Sequence, residues 1–390
     1  MKHYFWTLLL LLLPAPTAAQ AIDSLLLSIE ANNKGLQALR QDYAAARQDA
    51  KAENRLEGPS VEYSPFFHRG VKGLASSELV VSQGFDFPTL YAARSKQARL
   101  EQAADGWQYE SARRNVLLQA KLHCLDLVRL SREKALLAER RRDADQLLAL
   151  YEERLAKGDA TLIEINKIKM DHMAIRTAET ANAQARDAAL QALRALNGGQ
   201  PVTFDARQYP PAPVAADPDT LLARLLRSDA ALRAAEATVS ARRQDVKVSR
   251  QSWMPRLELG YRRNTDRTDP SHGLLVGATI PLFAQRHRVK AARQRLAGAK
   301  LQQEEVRLQA QRDLRTQLAA LRQTEEALAA YDDSLMHATL QALRKAVAGG
   351  QLPLTDYYTE ADAVYRNLQE RLRLEGEYQK ALALLLQNEL

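Results

Sequence analysis

Polar and apolar residues alternate along this chain with two different periods. Over long stretches the apolar positions recur every third or fourth residue, the period of a helix; in four short stretches they recur every second residue, the period of a strand. Leu314, Leu318, Leu321, Leu328 and Leu335 trace the first pattern, with Glu325 and Asp332 on the same seam. Such a seam is a narrow coiled-coil stripe, narrower than the apolar face of a globular core helix. The second pattern lies between Pro59 and Pro88 and again between Pro255 and Pro281. Val61, Tyr63, Pro65 and Phe67 alternate with Glu62, Ser64 and Phe66. Leu79, Val81, Gln83, Phe85 and Phe87 alternate with Glu78, Val80, Ser82, Gly84 and Asp86. Further on, Leu257, Leu259 and Tyr261 alternate with Glu258, Gly260 and Arg262. Leu274, Val276, Ala278, Ile280 and Leu282 then alternate with Leu275, Gly277 and Thr279. These spacings predict strands at about 60–68, 77–87, 256–263 and 273–283.

Glycine and proline punctuate the helical stretches. Residues 107–157 and 299–348 contain neither, and each run ends in glycine, Gly158 in one case and Gly349-Gly350 in the other. The pattern predicts helices at about 23–56, 89–156 and 162–197, then at about 218–250, 285–348 and 354–388. At ~1.5 Å per residue the longest would reach roughly 100 Å. Pro88 and Pro281 lie 193 positions apart, and Gly158 and Gly350 lie 192 apart. Two independent landmarks with nearly one offset point to an internal duplication. The expected organisation is a signal peptide at 1–21, a first repeat at 22–200, a proline-rich connector at 201–218 and a second repeat at 219–390.

Composition narrows the class. The chain has 390 residues, is 46% hydrophobic but only 6% aromatic, and has one cysteine, Cys124, so an internal disulfide and a Cys-based zinc site are excluded. The net charge of +8 is spread through both signs and does not by itself imply nucleic acid. Lys2, the apolar run Tyr4 to Leu13 and the site Ala19-Gln20-Ala21 read as a cleaved secretory signal, too short for a membrane helix. No later segment resembles a transmembrane helix, so the exported chain is either soluble or embedded by strands. Strands of about ten residues cross a bilayer when tilted. Four of them do not close a barrel, whose lower limit is about eight, and an open edge in lipid strands its backbone hydrogen-bonding groups. Membrane-spanning strands would therefore require several chains to share one barrel. The competing readings are an ordinary helical bundle, two surface hairpins on a soluble protein, a periplasmic coiled-coil adaptor or scaffold without a pore, and a secreted hydrolase with unrecognised residues.

The segments Tyr151-Glu152-Glu153-Arg154-Leu155-Ala156-Lys157-Gly158-Asp159-Ala160-Thr161-Leu162 and Ala346-Val347-Ala348-Gly349-Gly350-Gln351-Leu352-Pro353-Leu354-Thr355-Asp356 carry a family resemblance. So do Trp253-Met254-Pro255-Arg256-Leu257 and Ile280-Pro281-Leu282-Phe283. Over the whole mature chain the sequence resembles the TolC family of outer-membrane efflux channels, and more loosely its shorter branch associated with heavy-metal and cation efflux. The resemblance implies a mainly α fold with a small β part: a long coiled-coil helical barrel continued into an outer-membrane β-barrel shared by three chains. It implies a homotrimer, a periplasmic adaptor protein, an inner-membrane efflux pump, and a location in the outer membrane of a Gram-negative-type bacterium with a large periplasmic part. It implies no enzyme activity and no cofactor.

A conduit needs an apolar girdle, a polar lumen and a closable end. The girdle candidates are Tyr63, Phe67, Leu79, Val81, Phe85, Phe87, Leu257, Leu259, Tyr261, Val276, Ile280 and Leu282. Glu62, Ser64, Glu78, Ser82, Glu258, Arg262 and Thr279 would line the pore. Gly158, Asp159, Gly349 and Gly350 form the expected tip turns that contact the adaptor. In the resembling family, acidic residues past the second tip constrict the mouth. The matching position is Asp356, its counterpart in the first copy is Glu164, and the next acidic position falls on Thr359 with Glu360 beside it. For Asp356 and Glu164 a solvated helix carboxylate is the competing reading. Met170, His172 and Met173 suggest a soft metal site, but helical spacing puts His172 off the face of the two methionines, so ordinary packing is expected. No P-loop, dinucleotide fingerprint, nucleophile elbow or zincin motif occurs.

Overall fold

The computed structural model describes residues 18–70, 72–211, 227–266, 269–281 and 285–390. Most of the signal-peptide segment, the second part of the connector, and Leu282 and Phe283 lie outside them. The elements are α1 (Ala18–Asn32), α2 (Lys34–Glu53), β1 (Ser60–Phe66), β2 (Ser76–Phe85), α3 (Pro88–Lys157) and α4 (Leu162–Leu196). After the connector come α5 (Ala230–Gln251), β3 (Arg256–Asp266), β4 (Ser271–Thr279), α6 (Gln285–Ala329), α7 (Asp333–Ala348) and α8 (Leu354–Leu385). Among the described residues no helix is long and apolar enough to cross a membrane.

Three stretches expected as single helices are each broken once among the described residues: at Asn33, at Ala330–Asp332, and at Asp229, which follows helical Arg227 and Ser228 and caps α5 by accepting from Leu232 N–H (2.8 Å). At Asn33 the Leu36 backbone N–H donates to the Asn33 side-chain oxygen (3.0 Å), and the Asn33 amide donates to the Leu196 carbonyl (2.8 Å). Asn33 thus ends α1 and caps α2. At Ala330–Asp332 the chain tightens through Ala330 N–H to Ala327 carbonyl and Tyr331 N–H to Leu328 carbonyl, and Asp332 caps α7 by accepting from Leu335 N–H (3.0 Å). The break resets the helical phase. Leu314 and Leu321 are buried as the seam requires, but Leu335 is 62% exposed, and Met336, Leu340 and Val347 take over the buried positions. Asp332, expected on the seam, serves as a cap instead.

The described chain packs as two compact units, with α3 supplying residues to both. The first comprises residues 1–37, 113–222 and 313–390. Its core has two parts. Ile22, Leu26 and Ile29 of α1 meet Leu117, Ala120, Cys124, Leu127 and Val128 of α3 and Leu193 of α4. Around them the connector residues Val202, Phe204, Ala206 and Tyr209 pack down, so the described part of the connector lies against the core. The other part joins Leu147 and Tyr151 of α3, Ile165 and Ile168 of α4, Leu340 and Val347 of α7, and Tyr357, Tyr358 and Tyr365 of α8.

The second unit comprises residues 38–112 and 223–312. Its helices bury small side chains, Ala93, Ala104, Ala234, Ala241, Ala292 and Ala299 among them, which brings backbones close together. At one such contact the buried Gln244 amide donates to the Ala93 carbonyl (3.1 Å). The four strands form one antiparallel sheet in the order β1-β2-β3-β4, with β1 and β4 at its edges. Ser82 faces Ser60 and Gly260, and Val81 faces Val61 and Tyr261. Gly260 is required here, because a Cβ would meet the Val81 carbonyl oxygen at 2.5 Å.

Candidate functional site: a two-faced sheet and two helical tips

Register and the alternation of side chains assign every strand residue to one of two faces. On one face lie Tyr63, Leu79, Val81, Phe85, Leu257, Leu259, Tyr261 and Val276, with Val61, Leu274 and Ala278 joining them. Many of these are bare to solvent in the single chain: Leu274 is 87% exposed and Val276 79%. Phe67, Phe87 and Ile280 lie just past the ends of β1, β2 and β4. β3 runs three residues beyond the expected end, to Asp266, because Arg263 to Asp266 still pair with β2. The opposite face carries Glu62, Ser64, Glu78, Ser82, Glu258, Arg262 and Thr279. Some of its polar groups pair with one another: the Ser82 hydroxyl contacts Ser60 (2.8 Å) and donates to Glu258, and Arg262 pairs with Glu78 (2.9 Å). The sheet thus has one mainly apolar face and one mainly polar face.

The tips lie in the first unit. Each long hairpin turns through the same backbone device. Gly158 has φ 80°, its N–H reaches the Leu155 carbonyl, and Asp159 N–H reaches the Arg154 carbonyl. Gly350 has φ 72°, its N–H reaches the Val347 carbonyl, and Gln351 N–H reaches the Ala346 carbonyl. Both are Schellman closures with glycine in the left-handed position, where a Cβ is disfavoured. Gly158, Asp159, Gly349 and Gly350 are all exposed.

Beyond the turns the tips differ. Thr161 caps α4: its hydroxyl accepts from Glu164 N–H (3.3 Å), while the Glu164 carboxylate accepts from Thr161 N–H (2.8 Å). Glu164 is therefore consumed by a capping box. At the second tip the cap position is Pro353, which has no side-chain acceptor and no N–H. Asp356 sits at the same third helical position as Glu164, but a reciprocal bond to Pro353 is chemically impossible. Its carboxylate is exposed, and among the described residues it accepts from the adjacent Thr355 hydroxyl (3.3 Å). Glu360 lies one turn further along the same exposed face of α8, and Thr359 folds its hydroxyl back onto the Thr355 carbonyl (3.0 Å).

Groups not singled out in the sequence join the two hairpins. Arg154 donates to the Ala348 carbonyl (2.7 Å) and lies over the Tyr151 ring. Deeper in, Arg344 pairs with Glu139 (2.7 Å) and Asp143 (2.6 Å), and the Tyr365 hydroxyl donates to Asp143 (2.5 Å). Arg140 bridges Asp171 and Asp362 at 2.6 Å each and lies over the Tyr365 ring. Burial pushes the Asp143 carboxyl above the usual carboxylate range, against the opposing pull of the Tyr365 hydrogen bond and the Arg344 charge. Burial likewise pushes the Tyr357 phenol up to about 12. Leu162 and Ile163 follow the first tip directly and are 63% and 80% exposed. Their signal was visible: with buried Ile165 and Ile168 they make this turn of α4 apolar on more than one face. Met170 and Met173, expected to pack, are exposed in the single chain.

Paired strand hairpins with one mainly apolar face, and long helices joined by glycine tips, are the features that the outer-membrane efflux channel fold leads one to expect. The comparisons bear this out, and with it the resemblance read from the sequence. Residues 221–387 match the family model described as Outer membrane efflux protein. The whole fold is similar to a membrane protein from Pseudomonas aeruginosa (21% identity, TM-score 0.79, covering 94% of this chain and 90% of that one). It is similar to the CusC transmembrane channel (15%, TM-score 0.76, 94% and 91%). It is also similar to the outer membrane protein VceC from Vibrio cholerae (16%, TM-score 0.75, 94% and 95%). No curated protein sequence matches the chain.

Proposed function

We propose that this chain is one of three identical subunits of an outer-membrane efflux channel. The channel is a passive conduit that carries small molecules or ions outward from a periplasmic adaptor and an inner-membrane pump. It is a transport protein and not an enzyme. The observation that carries the reading is the sheet. Most of its apolar residues are exposed, and its two edge strands carry backbone groups that lipid cannot satisfy. Further copies joined edge to edge satisfy those groups, close a barrel in the outer membrane and turn the Glu62–Glu78–Glu258 face inward. The helices then stand in the periplasm, and the tips form the mouth, with Gly158, Asp159, Gly349 and Gly350 offered to the adaptor. At the mouth Asp356 supplies one exposed carboxylate per chain, a ring that attracts cations and governs closure. The heavy-metal reading of the substrate rests on the resemblance alone. A periplasmic scaffold without a pore would leave the apolar sheet face uncovered.

The test is to extract the mature chain from envelopes with detergent, size it and reconstitute it in planar bilayers. A trimer giving discrete conductance steps is expected. Recovery as a soluble periplasmic monomer overturns the proposal.

A further inference from the structure

The apolar face of the sheet ends in a row that carries an arginine and a histidine. At the level where Tyr63 of β1 faces Leu79 of β2, the partners on β3 and β4 are Arg263 and His272. His272 stacks at 6.2 Å on Tyr261, the last apolar residue of β3 on this face before Arg263. The row lies at the hairpin-loop end of the sheet. The β1–β2 loop at that end adds exposed Arg69 and Lys72, and the β3–β4 loop one exposed carboxylate, Asp269. All four strand carboxylates, Glu62, Glu78, Glu258 and Asp266, belong to the opposite face. Arg262, one position away, turns to that other face and finds Glu78 there. Arg263 has no carboxylate on its own face, and arginine cannot shed its charge.

Depth decides what meets this row. Eight positions separate Phe87, just past β2, from Leu79. At ~3.4 Å per residue that is ~27 Å of strand. A tilt of ~40° makes it roughly 21 Å of depth, close to the ~25 Å apolar band of an outer-membrane barrel. The row therefore falls at the outer boundary of the band, where lipid headgroups begin. Tyr63 lies in the row and Tyr261 just inside it, and aromatic rings are enriched at membrane interfaces generally.

We propose that Arg263 and His272, with Arg69 and Lys72 above them, form a binding site for the phosphate groups of a phosphorylated glycolipid in the outer leaflet. The guanidinium takes two phosphate oxygens in its planar fork, the imidazole donates a further hydrogen bond, and Tyr261 covers the start of the acyl chains. The inference rests on the channel reading, since it needs the sheet to face lipid.

The test reconstitutes the purified oligomer in phosphatidylcholine vesicles. These are plain, or contain a phosphorylated outer-leaflet glycolipid, or contain the same glycolipid after enzymatic dephosphorylation. Insertion is read by protease protection, and lipid retained per oligomer by native mass spectrometry. The wild type is expected to retain the phosphorylated lipid over the dephosphorylated one. Arg263→Gln is expected to cut retention roughly fivefold, Arg263→Gln with His272→Gln further, and Arg262→Gln not at all. Insertion with equal retention of both glycolipids, or retention untouched by the double variant, overturns this site and leaves the channel reading standing. Displacement of the lipid by millimolar inorganic phosphate also overturns it, since the site would then recognise free phosphate. Failure to insert into any vesicle overturns both.

Discussion

The two helical tips have the same backbone and use the same carboxylate position differently. Both close with a left-handed glycine, and both carry an acid at the third residue of the outgoing helix. At the first tip threonine precedes that helix, and Glu164 is drawn into a cap. At the second tip proline stands there and Asp356 is left exposed. One atom, the missing proline N–H, separates a structural acid from one available for function. The difference is local, so substitution can move it.

The largest effect should come from the shared device. Gly158→Val and Gly350→Val each force a side chain into the left-handed region at ~1–2 kcal/mol. Limited proteolysis of the tips should accelerate by a similar factor in both; resistance at either would separate the two turns. Next comes the cap that only one tip has. Thr161→Ala should destabilise the first tip by ~1 kcal/mol, seen in denaturant unfolding or local hydrogen exchange. Pro353→Ser should confer a cap on the second tip and, at little net stability change, tie up Asp356. The functional counterpart is subtler. Asp356→Asn should alter single-channel conductance or cation block with stability intact, while Glu164→Gln should cost a few tenths of a kcal/mol and leave conductance unchanged. Combined with Pro353→Ser, the Asp356 effect should shrink. Equal conductance changes from both acids would mean that the cap does not distinguish them.

The smallest effect concerns Asp143, deeper in the same bundle. Its carboxyl is raised by burial, so its charged form is less favoured in the folded chain than in the unfolded one. Its stabilisation is present below the ordinary carboxylate pKa and is lost as pH rises through the raised one. Asp143→Asn should flatten that part of the melting-temperature profile against pH; an unchanged profile would show that Arg344 and Tyr365 offset the burial.

Much of this was legible in the sequence, for a physical reason. Period-two alternation placed the strands because a one-residue slip would invert every side chain, and Val81, Tyr261 and Val276 share a face as the spacing required. Glycine marked both tips because φ near 80° admits little else. What was not legible was polar punctuation inside glycine- and proline-free runs. Asn33 and Asp332 break helices by side-chain hydrogen bonds that read, in sequence, as ordinary surface polarity. The Leu335 misplacement follows from the second of these. Nor did spacing show that Arg140 and Arg344 reach carboxylates more than thirty and two hundred residues away, since those partners meet only through tertiary packing.

The sheet's two open edges also have a genetic consequence. In the proposed ring of three, β4 of each chain would meet β1 of the next, so every subunit would contribute to two different seams. A chain able to join at β1 but spoiled at β4 would be taken up and would leave a gap. Expressed beside an equal amount of intact chain, such a subunit would leave roughly one ring in eight whole. Damage confined to that one edge would behave as a dominant trait, whereas a chain that never folds would be recessive.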